Sequence, residues 1–163
     1  MKKIFLIITL IITPLHLYSQ DVGKNAPLFS GKTLSGETIN LADYKGKVTI
    51  LDFWASWCKP CKEEFPFLID LYNKDSGKNF SVLTVNVDEE SENIKKFTDK
   101  LDKEVPFKII YDKDKKIVEL YITESFPCAF IIDKNGVVRF THIGFVSGNE
   151  EKYNSEIEKL INE

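Results

Sequence analysis

Two thiols separated by two residues, Cys58-Lys59-Pro60-Cys61, are the part of this sequence best equipped for chemistry. A pair at this spacing can close a disulfide on itself and reopen it by exchange with a disulfide elsewhere. The attacking species is the thiolate, so the chemistry needs surroundings that favour a negative sulfur. A helix N-terminus provides them, because its first N–H groups lack intrahelical partners and carry a partial positive charge. Pro60 suits the first turn of such a helix, where its missing N–H is not needed. Lys59 adds positive charge beside Cys58, modestly, since an exposed charge is screened. The structural alternative is a plain disulfide staple, but a loop this short constrains the unfolded chain little.

The flanking pattern predicts the elements that would position the pair. Val48-Thr49-Ile50-Leu51-Asp52-Phe53-Trp54 is a run of β-branched, apolar and aromatic residues and reads as a buried strand. After Cys61, Phe65, Leu68, Ile69 and Tyr72 recur at spacings of three and four, which predicts a helix reaching about Ser76-Gly77, bent at Pro66. On this reading Cys58 stands at the helix entry with its sulfur exposed and is the nucleophile. Cys61, one turn later, resolves the mixed disulfide by internal attack.

With DFWAS before it and KEEFP after it, the WCKPC stretch resembles the active site of the thioredoxin superfamily, and within it the exported TlpA/ResA-type thiol–disulfide oxidoreductases. GKNAPLF at 23–29, LADYKGK at 41–47 and FPCAFIIDKNGVV at 126–138 extend the resemblance over nearly all of the chain after its N-terminal segment. It implies an α/β, thioredoxin-like fold: a central mixed β-sheet flanked by helices, with an N-terminal β-hairpin extension and an inserted helix. It also implies a dithiol–disulfide oxidoreductase working in the reducing direction, as in apocytochrome c maturation or the repair of periplasmic thiols. The partners so implied are protein disulfide substrates and a membrane or periplasmic electron donor. No cofactor and no metal are called for.

The resemblance assigns roles around the pair. Pro127 occupies the place of a cis-proline that faces the CxxC and presents a backbone edge to substrate; an X–Pro bond is chemically able to do this. The family more often has a β-branched residue before that proline and threonine after it, where this chain has Phe126 and Cys128. Asp52, inside an apolar strand, should be buried, and burial raises a carboxyl's proton affinity, so it is a candidate proton acceptor for Cys61. Thioredoxin has an acid at the matching position. Glu64 matches an acid that tunes the thiols in ResA-type proteins; the alternative is that Glu63 and Glu64 both belong to a solvated helix face. Trp57 is expected to shield the site and offer a flat surface to a partner, with Trp54 in the core. Cys128 reads first as a small buried thiol, and alternatively as a third redox participant. His142 reads as a plain surface or packed histidine.

The remaining features bound the answer. At 163 residues the chain accommodates one domain plus a leader. A formal charge of −3 gives no reason to expect a nucleic-acid partner. Lys2 and Lys3, the apolar stretch Ile4 to Ile12, then Pro14 and Tyr18-Ser19-Gln20 form the layout of a signal peptide over residues 1–19, with cleavage between Ser19 and Gln20. An uncleaved membrane anchor is the alternative. Export to the periplasm makes disulfides permissible and leaves one of three cysteines to account for.

Residues 20–163 form the expected domain. Its predicted elements are an extended lead-in to Phe29, a hairpin turning at Ser35-Gly36 and a helical turn from Asn40. They continue with a strand over 80–87, a helix over 88–103 capped by Ser91, a strand at 107–110 and a short helix over 114–121. Strands at 129–132 and 137–141 follow, joined through Asn135-Gly136, and then a final helix over 149–161 with Tyr153, Ile157 and Leu160 inward. Two other functions compete. Cys58, Cys61, Cys128 and His142 could make a Cys₃His zinc module. A peroxiredoxin-type peroxidase shares the N-terminal pattern, but carries Thr or Ser three residues before its cysteine, where this chain has Ala55.

Overall fold

The computed structural model describes residues 22–163, so the leader expected over residues 1–19 lies outside the described residues. An extended lead-in runs beside the backbone of Gly136 and Val138 and enters a hairpin of β1 (Ser30–Lys32) and β2 (Thr38–Asn40). The Ser35-Gly36 turn joins the two strands, as expected, with the Gly36 N–H donating to the Thr33 carbonyl at 3.0 Å. Gly31 allows the hairpin to close on the sheet, since a Cβ there would fall 2.5 Å from Ile110 Cγ2. A 3₁₀ turn over Leu41–Tyr44 then delivers the chain to β3 (Val48–Trp54).

The elements that follow are α1 (Lys59–Asp75), β4 (Phe80–Asn86), α2 (Ser91–Thr98), β5 (Lys108–Tyr111), α3 (Lys116–Leu120), β6 (Cys128–Ile132), β7 (Val138–Ile143) and α4 (Glu150–Asn162). The five longer strands form one mixed sheet in the order β5-β4-β3-β6-β7. β3 is its centre, parallel to β4 and antiparallel to β6. Every residue of β3 and β4 is buried, which explains why both read as unbroken apolar runs rather than as alternating ones.

Alternation along β3 decides what each face holds. Leu51 and Phe53 share the face on which Phe53 meets Tyr121 and Phe130, with ring centres 5.1 and 5.8 Å apart. Ile50, Asp52 and Trp54 point to the opposite face, where Trp54 packs on Phe65 of α1 and Phe97 of α2 at 4.5 and 4.6 Å. α4 closes that same face with Tyr153, Ile157 and Leu160 buried. Asp52 is therefore the single carboxyl of β3 and is directed into the layer that holds α1.

Two expectations about α2 need correction. The helix covers Ser91–Thr98 rather than 88–103, and Glu90, not Ser91, is its cap residue. At the start, the Asp88 carboxylate is occupied by the chain before Cys58. At the end, Lys100 and Leu101 N–H groups bond three residues back to Phe97 and Thr98, so the helix tightens into turns. α1, in contrast, runs through Pro66 to Asp75 as one helix.

Candidate active site

Cys58 and Cys61 stand where β3 hands over to α1. Cys58 is the N-cap residue, with extended backbone (φ −75°, ψ 115°), and Pro60 occupies the first turn. The Cys61 backbone N–H donates to Cys58 Sγ at 3.2 Å. An unpartnered helix N–H is thus aimed at the sulfur expected to carry charge. The two sulfurs are joined in a disulfide with S–S 2.01 Å. Here the expectation of an exposed Cys58 sulfur fails: the residue is only 5% exposed and Cys61 is fully buried. The bond to Cys61 and the helix N–H draw the sulfur inward.

Two aromatic rings meet, that of Trp57, just before the dithiol in the sequence, and that of Phe126, just before Pro127. Trp57 is 67% exposed, and its ring meets the edge of Phe126 at 6.0 Å and 76°. The Phe126–Pro127 peptide bond is cis, and the Pro127 carbonyl accepts the Gly144 N–H at 2.8 Å. Lys59 is exposed beside them, whereas Trp54 lies in the core.

Two buried carboxyls lie in the layer between β3 and α1. Asp52 has no solvent exposure, and neither of its oxygens meets a donor in good hydrogen-bond geometry among the described residues. Burial, and next the neighbouring Glu64 charge, hold its proton affinity well above the usual carboxyl range, with weak relief from the Phe53 backbone N–H. Glu64, one turn beyond Cys61, is 1% exposed while Glu63 is exposed, so the two do not share a solvated face. Burial pushes Glu64 up to about 7, against the hydrogen bond that Tyr153 donates to its Oε1 at 3.0 Å.

Cys128 is a free, fully buried thiol that opens β6 opposite Phe53. Burial, first, pushes it up to about 11. His142 is buried, pairs in register with Ala129 and stacks on Tyr153 at 4.1 Å. Cys128 pairs instead with Ile143, so it and His142 point to opposite faces. No group of three metal-binding side chains occurs among the described residues, and the proposed Cys₃His set is not brought together.

Some participants were not legible as such in the sequence. Asp88 accepts the Ser56 N–H at both carboxylate oxygens, 3.1 and 3.2 Å, and the Asn86 amide at 3.1 Å. It thereby fixes the loop that leads to Cys58. The helical spacing marks Tyr153 only as core; a phenol on an otherwise apolar helix face is the available signal, because a buried hydroxyl needs a partner.

The profile of the AhpC/TSA family matches residues 22–141. The chain belongs to the AhpC/TSA family. Among its relatives is the thiol-disulfide oxidoreductase ResA of Geobacillus thermodenitrificans, 35% identical over 83% of this chain and 76% of the relative. The thioredoxin-like protein YneN of Bacillus subtilis is 39% identical over 78% and 75%. The crystal structure of a Chlorobium tepidum protein described as a thiol:disulfide interchange protein, DsbE, superposes with a TM-score of 0.82 at 34% identity, covering 88% of this chain and 99% of that one. This AhpC/TSA member is a thiol–disulfide oxidoreductase with a thioredoxin-like fold.

Proposed function

We propose that this chain reduces disulfides of exported proteins through Cys58 and Cys61. The observation that carries the reading is the Cys61 N–H held 3.2 Å from Cys58 Sγ at the start of a helix. In the reduced protein the same donor and the helix dipole stabilise a Cys58 thiolate. That thiolate attacks one sulfur of the substrate disulfide; a mixed disulfide forms and the other substrate sulfur leaves as a thiolate that takes a proton from water. Cys61 then gives its proton to the buried Asp52–Glu64 pair and attacks Cys58 Sγ. The second substrate sulfur leaves, and the 2.01 Å disulfide of the structure is regenerated. Two electrons pass to the substrate, and a membrane or periplasmic dithiol donor must return them.

Trp57 and Phe126 offer the apolar approach that a protein substrate would cover, beside cis-Pro127. Residues 1–19 serve as the export leader, and the reducing direction fits cytochrome c maturation or thiol repair. A peroxidase reading, suggested by the family's name, has less support. Position 55 is alanine without a hydroxyl, and the second cysteine is already bonded one turn away. The test is insulin-disulfide reduction with the full chain: Cys58→Ala should abolish turnover, and Cys61→Ala should accumulate mixed disulfides. Turnover retained in Cys58→Ala refutes the reading, and rapid peroxide turnover would favour the peroxidase.

A further inference from the structure

Behind the two carboxyls stands a second tier of buried polar side chains with no part in the mechanism above. Tyr153 of α4 is fully buried, and its hydroxyl donates to Glu64 Oε1 across 89 residues of sequence at 3.0 Å. One face of its ring is covered by the His142 imidazole, 4.1 Å away and 24° from parallel. His142 Nε2 is in turn hydrogen-bonded with Glu156 Oε2 at 2.6 Å. Phe67 and Phe145 meet the phenol edge-on, at 5.4 and 6.4 Å. The ring has little freedom to turn, so its hydroxyl stays on Glu64. The other Glu64 oxygen, Oε2, has no donor among the described residues.

We infer that Tyr153 is a positioning residue for the exchange step: its hydroxyl, braced by the His142–Glu156 pair, holds the Glu64 carboxylate in one orientation one turn beyond Cys61. The inference rests on the role given above to the Asp52–Glu64 pair and deepens it. Two carboxyls buried side by side cannot easily both ionise, so one must lose its proton first. A phenol donor beside Glu64, and none in good geometry beside Asp52, selects Glu64 as the ionised member and leaves the proton on Asp52. Tyr153 thereby sets the pH range in which the pair can receive the Cys61 proton.

The groups facing Glu64 from the packed elements are Asp52 on β3 and Tyr153 on α4, while Cys128 of β6 lies on the other face of the sheet and feels Glu64 only through its charge. Cys61 lies on its own helix, and His142 of β7 acts only through the Tyr153 ring. Of these, only the Tyr153 hydroxyl donates a hydrogen bond to Glu64 among the described residues.

The test is a carboxyl NMR titration of Glu64 in the full-length oxidised protein, alongside the pH profile of mixed-disulfide resolution. Tyr153→Phe keeps the ring and its packing and removes only the donor. Glu64 should then bind its proton about tenfold more tightly, moving its midpoint and the rate profile up together by about one pH unit. In a Glu64→Gln background Tyr153→Phe should leave the rate profile unmoved. A purely structural Tyr153 would lower stability without moving either midpoint, and that result overturns the inference. A Glu64 midpoint that moves while the rate profile stays overturns the role in exchange. In the native protein, the Tyr153 hydroxyl proton should shift as Glu64 titrates; an unresponsive one also overturns it, with no variant required. The titration needs no turnover, so it stays readable even if Cys58→Ala were to refute the reductase reading.

Discussion

Glu64→Gln isolates the energetic consequence of burying an acid one turn beyond Cys61. Glu64 is held at about 7 in the folded protein against 4.5 ordinarily, with burial the first cause. The folded state therefore binds this proton more tightly than the unfolded chain does. Its contribution to stability is complete below pH 4.5 and is lost as the pH rises through about 7. At roughly 1.4 kcal/mol per pH unit, the displacement amounts to about 3 kcal/mol, an order-of-magnitude figure. Glutamine matches the protonated acid in shape, accepts the Tyr153 hydroxyl and cannot ionise. The variant should equal the native protein near pH 4.5 and exceed it by about 3 kcal/mol at pH 8. Relief of Asp52, whose proton affinity rests second on the Glu64 charge, acts in the same direction. Urea unfolding of both oxidised proteins at pH 4.5, 6 and 8 measures the difference. A difference that stays constant across that range refutes the argument, because it would mean Glu64 titrates alike in both states.

Two other outcomes follow from contacts already described. Asp88→Ala leaves the Ser56 N–H and the Asn86 amide without their acceptor; it should cost about 2 kcal/mol of stability in urea and slow turnover by loosening the loop before Cys58. Cys128, buried and pushed up to about 11, should stay unmodified by iodoacetamide at pH 8 in the native protein and react once urea is added. Native labelling of Cys128, or a disulfide from it to Cys58 or Cys61, would make it a redox participant instead.

What the sequence made legible was local. The apolar run of β3, the helical spacing of Phe65, Leu68 and Ile69, and the Asn135-Gly136 turn each carry their signal in their own residue types and spacing, and each forms where the sequence places it. The inward face of α4 was legible for the same reason. What escaped were consequences of contacts between distant segments. Glu63 and Glu64 are chemically alike, and only the arrival of Tyr153 separates a solvated acid from a buried one. Asp88 looked like the opening of a helix, yet its carboxylate serves a loop 32 residues earlier, and α2 begins later as a result. The buried Cys58 sulfur was missed because helix-end reasoning describes a field and takes no account of the closed disulfide that turns the sulfur inward.

Whether the helix start holds the Cys58 sulfur as a thiolate is decided by the rate of Cys58 alkylation against pH in the reduced protein. A helix-stabilised thiolate reaches half-maximal reactivity below about pH 7.5, where an ordinary thiol is still almost wholly protonated. Half-maximal reactivity near about 8.5, the value of an unperturbed cysteine, would contradict it.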